Sequence, residues 1–365
     1  MIPLRLSCSR LPIDTPIVLR LRCSGTDDQF SARGNDVWLT RAESSHLEFD
    51  VQGFTLSVKI EDPSEIDGDV VLMFPQQTTL HRLIRANSAH NTLLVTEQCD
   101  QACIMCSQPP KKRHADMFGV FSEALQIAPF GAAIGISGGE PLLHKEALFS
   151  MLLNARRTRP DLLFHVLTNG QHFDKEDMKD VEELDPKHVL WGIPLYSENS
   201  CLHDRIVKKN GAFARLMESL ALLGRSGARI ELRTVLLRSN VAALEDMAVF
   251  VSRNLAFIDY WAIMQMENIG FGRRVWKEEF FDNSANFAPI ARALDTADIR
   301  GIETTLYNFP LCSVPEPYRR RSLRSISDWK NVYMAQCGGC SARPLCSGFF
   351  AWHPKNGAFS KLGAI

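Results

Sequence analysis

The sequence predicts an α/β fold built on a parallel sheet, with a small β-rich N-terminal region and a cysteine-rich C-terminal extension. Three observations predict it. From Asn91 onward, apolar runs of strand length alternate with amphipathic stretches of helical length. Turn-forming residues follow the ends of those runs. Seven of the ten cysteines fall into two spaced groups, one inside the alternating region and one beyond it. Parallel strands need crossover connections and cover on both faces, and this alternation supplies both.

Residues 1–90 form the N-terminal region. Their β-type runs, Pro16 to Cys23, Leu47 to Ile60 and Val70 to Phe74, are punctuated by Gly, Pro and Asp. Residues 91–270 form the core. Its six strand runs are Thr92 to Thr96, Ala132 to Ser137, Leu163 to Thr168, His188 to Leu195, Ile230 to Leu237 and Phe257 to Met264. Helices are expected at Lys145 to Thr158, Ala212 to Ser226 and Val241 to Asn254, with Asn240 placed to cap the last. Leu220, Leu222 and Leu223 belong to the core. Residues 271–365 form the extension, rich in Arg, Pro and Gly and ending in the second cysteine group. There is no internal repeat and no low-complexity tract.

A chain of 365 residues suits about two domains. With 45% hydrophobic and 23% charged residues, the composition favours neither disorder nor a membrane class. A net charge of −1 gives no electrostatic reason to expect nucleic acid. Pro3, Pro12, Asp14 and Pro16 interrupt the start where a signal peptide needs an unbroken apolar stretch. No later run approaches the roughly 20 apolar residues of a membrane span. The expected compartment is the cytoplasm, where cysteines are reduced and serve metals rather than a disulfide framework.

The first cysteine group, Cys99, Cys103 and Cys106, has C-x3-C-x2-C spacing. Three thiolates can hold three corners of a [4Fe–4S] cube that normally takes four cysteines, which leaves one iron open. An open position separates a reactive metal site from a closed structural one. Zinc fits poorly, because a closed zinc site wants four ligands and the nearest histidines in sequence are His90 and His114. Chemistry in such sheets gathers at the carboxyl ends of the strands. Cys99 follows the first run, Gly138-Gly139-Glu140-Pro141 the second and Thr168-Asn169-Gly170 the third, while Tyr196 and Ser197 end the fourth.

The cysteine triad, the ISGGEP string and the strand-helix alternation together resemble the radical S-adenosylmethionine (SAM) superfamily. The resemblance implies a partial (β/α)6 TIM barrel in which Cys99, Cys103 and Cys106 ligate a [4Fe–4S] cluster. SAM would chelate the unique iron, and reductive cleavage would give a 5′-deoxyadenosyl radical that abstracts hydrogen from substrate. By the same resemblance, the backbone at Gly138, Gly139 and Glu140 receives the amino group of SAM. Thr168, Asn169 and Ser197 are expected to contact ribose or the methionyl carboxylate, and Arg233 a carboxylate of SAM or substrate. The chain departs from the commonest pattern at Met105, where an aromatic residue is frequent, and at Asp100, where asparagine is.

The second group, Cys312, Cys337, Cys340 and Cys346, has C-x24-C-x2-C-x5-C spacing. Four thiolates can close a site, and composition does not separate zinc from iron–sulfur. The string resembles SPASM and twitch extensions, which implies an auxiliary [4Fe–4S] cluster. Cys8, Cys23 and Cys201 lie at other spacings, so one such cluster is expected.

The phrases NTLLVTEQCDQACIMCSQPP, YNFPLC, SISDWKN and CSGFFAWH, with GDVVL near Gly68, resemble the HxsC maturases of the His-Xaa-Ser peptide modification system. That resemblance implies a peptide substrate with His-Xaa-Ser repeats, a second radical SAM protein, HxsB, and an electron donor such as flavodoxin or ferredoxin. Two other readings stand beside it: a radical SAM enzyme for a small metabolite, and a non-catalytic iron–sulfur or zinc component of a maturation complex. His203-Asp204 could position substrate, although a structural pair is the commoner role. The basic clusters Lys111-Lys112-Arg113 and Arg319-Arg320-Arg321 read as solvated faces, or as guides for an acidic leader peptide. Tyr307, Asp204 and Glu267 could act as acid or base, and nothing in the sequence chooses among them.

Overall fold

The computed structural model describes residues 2–24, 34–354 and 358–365. Seven strands form the N-terminal sheet: β1 (Arg5–Ser7), β2 (Ile17–Arg22), β3 (Asp36–Ala42), β4 (Leu47–Val51), β5 (Phe54–Val58), β6 (Val70–Met73) and β7 (Thr79–Ile84). Their order is β1-β7-β6-β2-β3-β4-β5, and all pairs are antiparallel except β2 with β3. Leu21, Leu47, Phe49, Leu56, Val58 and Ile66 are fully buried in its core. The single run expected from Leu47 to Ile60 is a hairpin. Gln52 and Gly53 both take positive φ, 54° and 87°, as a tight two-residue turn requires.

The second sheet is parallel throughout. It contains β8 (Asn91–Thr96), β9 (Ala133–Gly138), β10 (Leu163–Leu167), β11 (Val189–Pro194), β12 (Arg229–Val235), β13 (Tyr260–Met264) and β14 (Thr304–Tyr307), in sequence order. Six strands were expected and seven are found. The seventh, β14, pairs with β13 from Trp261↔Thr304 to Met264↔Tyr307 and lies in the stretch assigned to the C-terminal extension. Only four residues long, it does not stand out against Pro- and Arg-rich surroundings.

The helices are α1 (Phe118–Gln126), α2 (Lys145–Thr158), α3 (Met178–Glu183), α4 (Ser200–Val207), α5 (Ala212–Arg225), α6 (Leu244–Asn254), α7 (Gly270–Arg274), α8 (Trp276–Glu279) and α9 (Ala288–Ile299). Helix α2 buries Leu148, Phe149, Met151, Leu152 and Ala155, the spacing of one helical face. Ile134, Phe164, Val166, Trp191, Ile193, Ile230, Trp261 and Ile263 join the same core from the sheet. Trp261 satisfies its indole N–H on Thr234 Oγ1 at 2.8 Å, so the ring is buried without an orphaned donor.

Asn240 does not cap α6. A 3-10 turn, Val241–Ala243, precedes that helix. The Asn240 side chain instead accepts from Leu237 N (2.8 Å) and donates to Tyr196 O (3.1 Å) and Val235 O (3.0 Å), which ties the ends of β11 and β12 together.

The C-terminal segment contributes 3-10 turns and a two-stranded antiparallel ribbon, β15 (Asn331–Val332) and β16 (Phe349–Phe350). Buried Arg85, just beyond β7, grips Asp328 with both guanidinium nitrogens, one at 2.9 Å, and so links the first and last parts of the chain. Among the described residues, no helix is long and apolar enough to cross a membrane.

Candidate active site and metal centres

The first cysteine loop leaves the carboxyl end of β8 and is held from three sides. Ala102 N and Ile104 N donate to Val207 O (3.2 Å) and Ile206 O (2.9 Å) at the end of α4. On the second side, Phe271 N donates to Cys106 O at 2.8 Å, and Gly270 takes φ +60°. A Cβ at Gly270 would stand 2.5 Å from Cys106 O. On the third side lies the Gly-Gly-Glu turn. Gly139 N donates to Thr96 O (2.9 Å) and Glu140 N to Gln98 O (2.7 Å). Cβ atoms at Gly138 and Gly139 would fall 2.3 Å from Thr96 O and 2.0 Å from Gln98 O. Only glycine allows this approach, which brings the turn against Cys99, whose Cβ would lie 3.0 Å from a side chain at Gly139.

Glu140 explains why the neighbouring turns sit where they do. Its carboxylate is fully buried and accepts from Leu142 N (2.9 Å), Thr168 Oγ1 (2.6 Å) and Asn169 N (2.5 Å). Burial pushes its carboxyl up against the pull of those donors. Asn169 Nδ2 donates to Asp100 Oδ1 at 2.8 Å, and Asn169 Oδ1 accepts from Gln171 N at 3.0 Å. Asp100 also meets His172 Nε2 at 3.2 Å and the Lys209 ammonium. Burial raises its carboxyl, but these two partners outweigh that and hold it well below the usual range. Thr168 and Asn169 therefore spend hydrogen bonds on the protein, joining the second turn to the cysteine loop.

The thiols themselves share one short loop and are partly buried. Desolvation pushes Cys99 up to about 11, and it raises Cys103, which also feels Cys106 and Cys99, and Cys106. Metal binding takes thiolates, so occupation of this loop releases protons. Met105, at the departure from the family pattern, is buried in one apolar cluster with Tyr196, Met266, Trp276 and Phe280, and Cys103 packs against it.

Cys312, Cys337, Cys340 and Cys346 line one open cavity of about 370 Å³, together with Leu311, Tyr333 and Phe349. Cys346 Sγ accepts from Leu311 N and Gly348 N, each at 3.3 Å. Among the described residues no three His, Cys, Asp or Glu side chains are gathered tightly enough to hold a single ion. A cavity shared by four sulfurs suits a larger cofactor. Both donor sets, three thiols on a loop and four around a cavity, fit iron–sulfur clusters. An aromatic seam runs between the two groups: Phe280–Phe359 (5.4 Å between ring centroids), Phe359–His353 (5.4 Å) and His353–Phe349 (5.1 Å).

Residues 93–251 match the Radical SAM superfamily. This stretch of the α/β core is similar to radical SAM domains. Enzymes of that family use a [4Fe–4S] cluster and SAM. The antilisterial bacteriocin subtilosin biosynthesis protein AlbA of Bacillus subtilis (strain 168) is 27% identical over 201 residues, which cover 51% of this chain and 41% of that protein. The crystal structure of Streptococcus suis SuiB bound to precursor peptide SuiA aligns with a TM-score of 0.50 at 13% identity, over 61% of this chain and 49% of that one. The chain thus spans half or less of the length of these two relatives, and the likeness to SuiB is one of fold.

Within the α/β core, Ser197 is buried at the end of β11; its hydroxyl donates to Glu198 Oε2 and accepts from Asn199 N, both at 3.0 Å. His203 is buried, pushed down to about 4 by desolvation, and accepts from Tyr196 N at 3.3 Å. Asp204 ties Gly211 N (2.6 Å) and Phe213 N (2.8 Å), so this pair is structural. In the basic clusters, Lys111 pairs with Glu97, and Arg321 with Asp298 and Thr304.

Sequence reasoning missed Glu231, His165 and Tyr260, which stand with Arg233 and Tyr307. Arg233 Nη1 and His165 Nε2 both approach Glu231 Oε2, at 2.7 and 2.5 Å. Tyr260 and Tyr307 complete the layer, their hydroxyls 3.4 Å apart. The signal was present: Glu231 is an acid between buried Ile230 and Leu232, in mid-strand.

Proposed function

We propose that this chain is a SAM-dependent iron–sulfur enzyme that modifies a ribosomally made peptide of the His-Xaa-Ser type by hydrogen abstraction, as an HxsC-like maturase with a SPASM- or twitch-like extension. The observation that carries the reading is the seating of the Gly-Gly-Glu turn against a loop of three partly buried thiols at the carboxyl end of a parallel sheet. Cys99, Cys103 and Cys106 would hold the catalytic cluster, and Cys312, Cys337, Cys340 and Cys346 an auxiliary one. Bound there, a reduced cluster and SAM supply a 5′-deoxyadenosyl radical to the substrate.

The chain's own residues orient and enclose. Gly138, Gly139 and Glu140 offer close main chain to the SAM amino group. Glu140 fixes the Thr168-Asn169 turn beside it, and Ser197 and Arg233 stand at the ends of β11 and β12 for ribose and carboxylate contacts. Burial by Met105, Tyr196 and Trp276 keeps water from the reacting face. We read residues 1–90, 91–270 and 271–365 as three regions, the last also lending β14 to the sheet. Peptide specificity is supported by the HxsC-like phrases and by the peptide-related names of the relatives. A cytoplasmic setting, HxsB and a flavodoxin or ferredoxin donor belong to the same proposal.

Co-expression with a His-Xaa-Ser peptide tests it. A mass change on the peptide that disappears with Cys99→Ala is expected; an unchanged peptide in the presence of cluster-loaded enzyme and HxsB would contradict it.

A further inference from the structure

The layer around Glu231 is built like a receptor. Glu231 is fully buried, and its Oε2 is held by Arg233 and His165. Its Oε1, equally buried, makes no well-formed hydrogen bond among the described residues, although the Tyr307 hydroxyl stands beside this carboxylate. A buried acceptor left open is costly, so such an atom marks a place where a donor belongs. Burial raises this carboxyl, but Arg233 and His165 more than offset that, and it is held ionised below its ordinary value.

Gly192 makes the arrangement possible. It lies beside Glu231 in the sheet register, and a Cβ there would meet Leu167 Cδ2 at 2.5 Å, His165 Nε2 at 2.8 Å and Arg233 Cδ at 3.1 Å. The layer continues through Tyr260, paired in register with Glu231, to Tyr307 on the outermost strand, β14. Burial and the Glu231 charge push both phenols up, so their hydroxyls stay protonated and can donate or accept. His165 stands three residues before Thr168 on β10, which places the layer roughly 10 Å beneath the loops that carry the cysteines.

We propose that this layer seats the peptide residue that is modified, with Glu231 Oε1 accepting a hydrogen bond from a neutral N–H or O–H of that side chain. Neutral donors are favoured because Arg233 already balances the carboxylate. An imidazole or a hydroxyl meets the requirement, and an apolar side chain does not. The inference rests on the peptide reading given above.

Binding is the direct test, with the full chain reconstituted under anaerobic conditions. The probes are a synthetic peptide with three His-Ala-Ser repeats and its Phe-Ala-Ala counterpart. Wild type is expected to favour the first by about tenfold or more. Glu231→Gln should lose most of that preference and Tyr307→Phe part of it, with the folding of both chains checked by thermal unfolding. A Glu231→Gln chain that is folded and keeps the full preference would overturn the assignment of this layer alone. Wild type that cleaves SAM and binds neither peptide would overturn the peptide reading and this inference with it.

Discussion

The two cysteine groups are held in opposite ways. Cys99, Cys103 and Cys106 sit on one short loop fixed by strangers to it: the Gly-Gly-Glu turn, the end of α4 and the Gly270 turn. Their thiols are all raised by burial. The second group is scattered over 3-10 turns around a cavity. There Cys312 is raised by burial, whereas Cys340 is lowered by the Ile365, Ala342 and Arg343 backbone, and Cys346 already accepts two N–H groups. Three ligands on a rigidly placed loop leave a corner for chemistry; four around a cavity close it.

Several changes would break or sharpen that contrast. Cys99→Ala should abolish SAM cleavage and lower iron from about eight to about four per chain, read by metal analysis; retention of cleavage would sink the assignment of the triad. Cys346→Ala should also remove about four irons, yet leave 5′-deoxyadenosine formation without peptide intact and stop peptide modification. Loss of both activities would merge the two groups into one functional unit.

Glu140→Ala removes the acceptor of three donors in a buried turn. It should cost about 3 kcal/mol or more, read from denaturant midpoints, and loosen the first cluster but not the second. A cost under about 1 kcal/mol would show that the turn stands without it.

The smallest effect concerns the link between the ends of the chain. Burial raises the Asp328 carboxyl, but Arg85 outweighs it and holds the group below its ordinary value. Its stabilising contribution is therefore complete above about pH 4 and is lost as pH falls through the lower folded value. Because Asp328 is partly exposed, Asp328→Asn should cost about 1 kcal/mol or less at pH 7 and flatten stability between pH 5 and 3. Equal acid sensitivity in both proteins would remove the pair from the account.

Much of this was legible in the residues. Cysteine spacing and a glycine pair are local signals, and the six longer strand runs carry their own periodicity. The four residues of β14 carry too little pattern, and they are a strand only because β13 offers an edge. Asn240 has the chemistry of a cap, but three carbonyl and amide partners from β11 and β12 compete for it and win. Glu140 was read for its backbone, while its side chain organises Thr168 and Asn169 across 28 and 29 residues of sequence. The Glu231 layer draws its side chains from β10, β12, β13 and β14, so only the folded sheet brings them together.

The most direct measurement is anaerobic reconstitution with iron and sulfide, followed by dithionite and SAM. The account predicts 5′-deoxyadenosine from wild type and from Cys346→Ala, and none from Cys99→Ala. A fully loaded wild-type protein that leaves SAM intact would contradict it and identify the first cysteine group as a structural site.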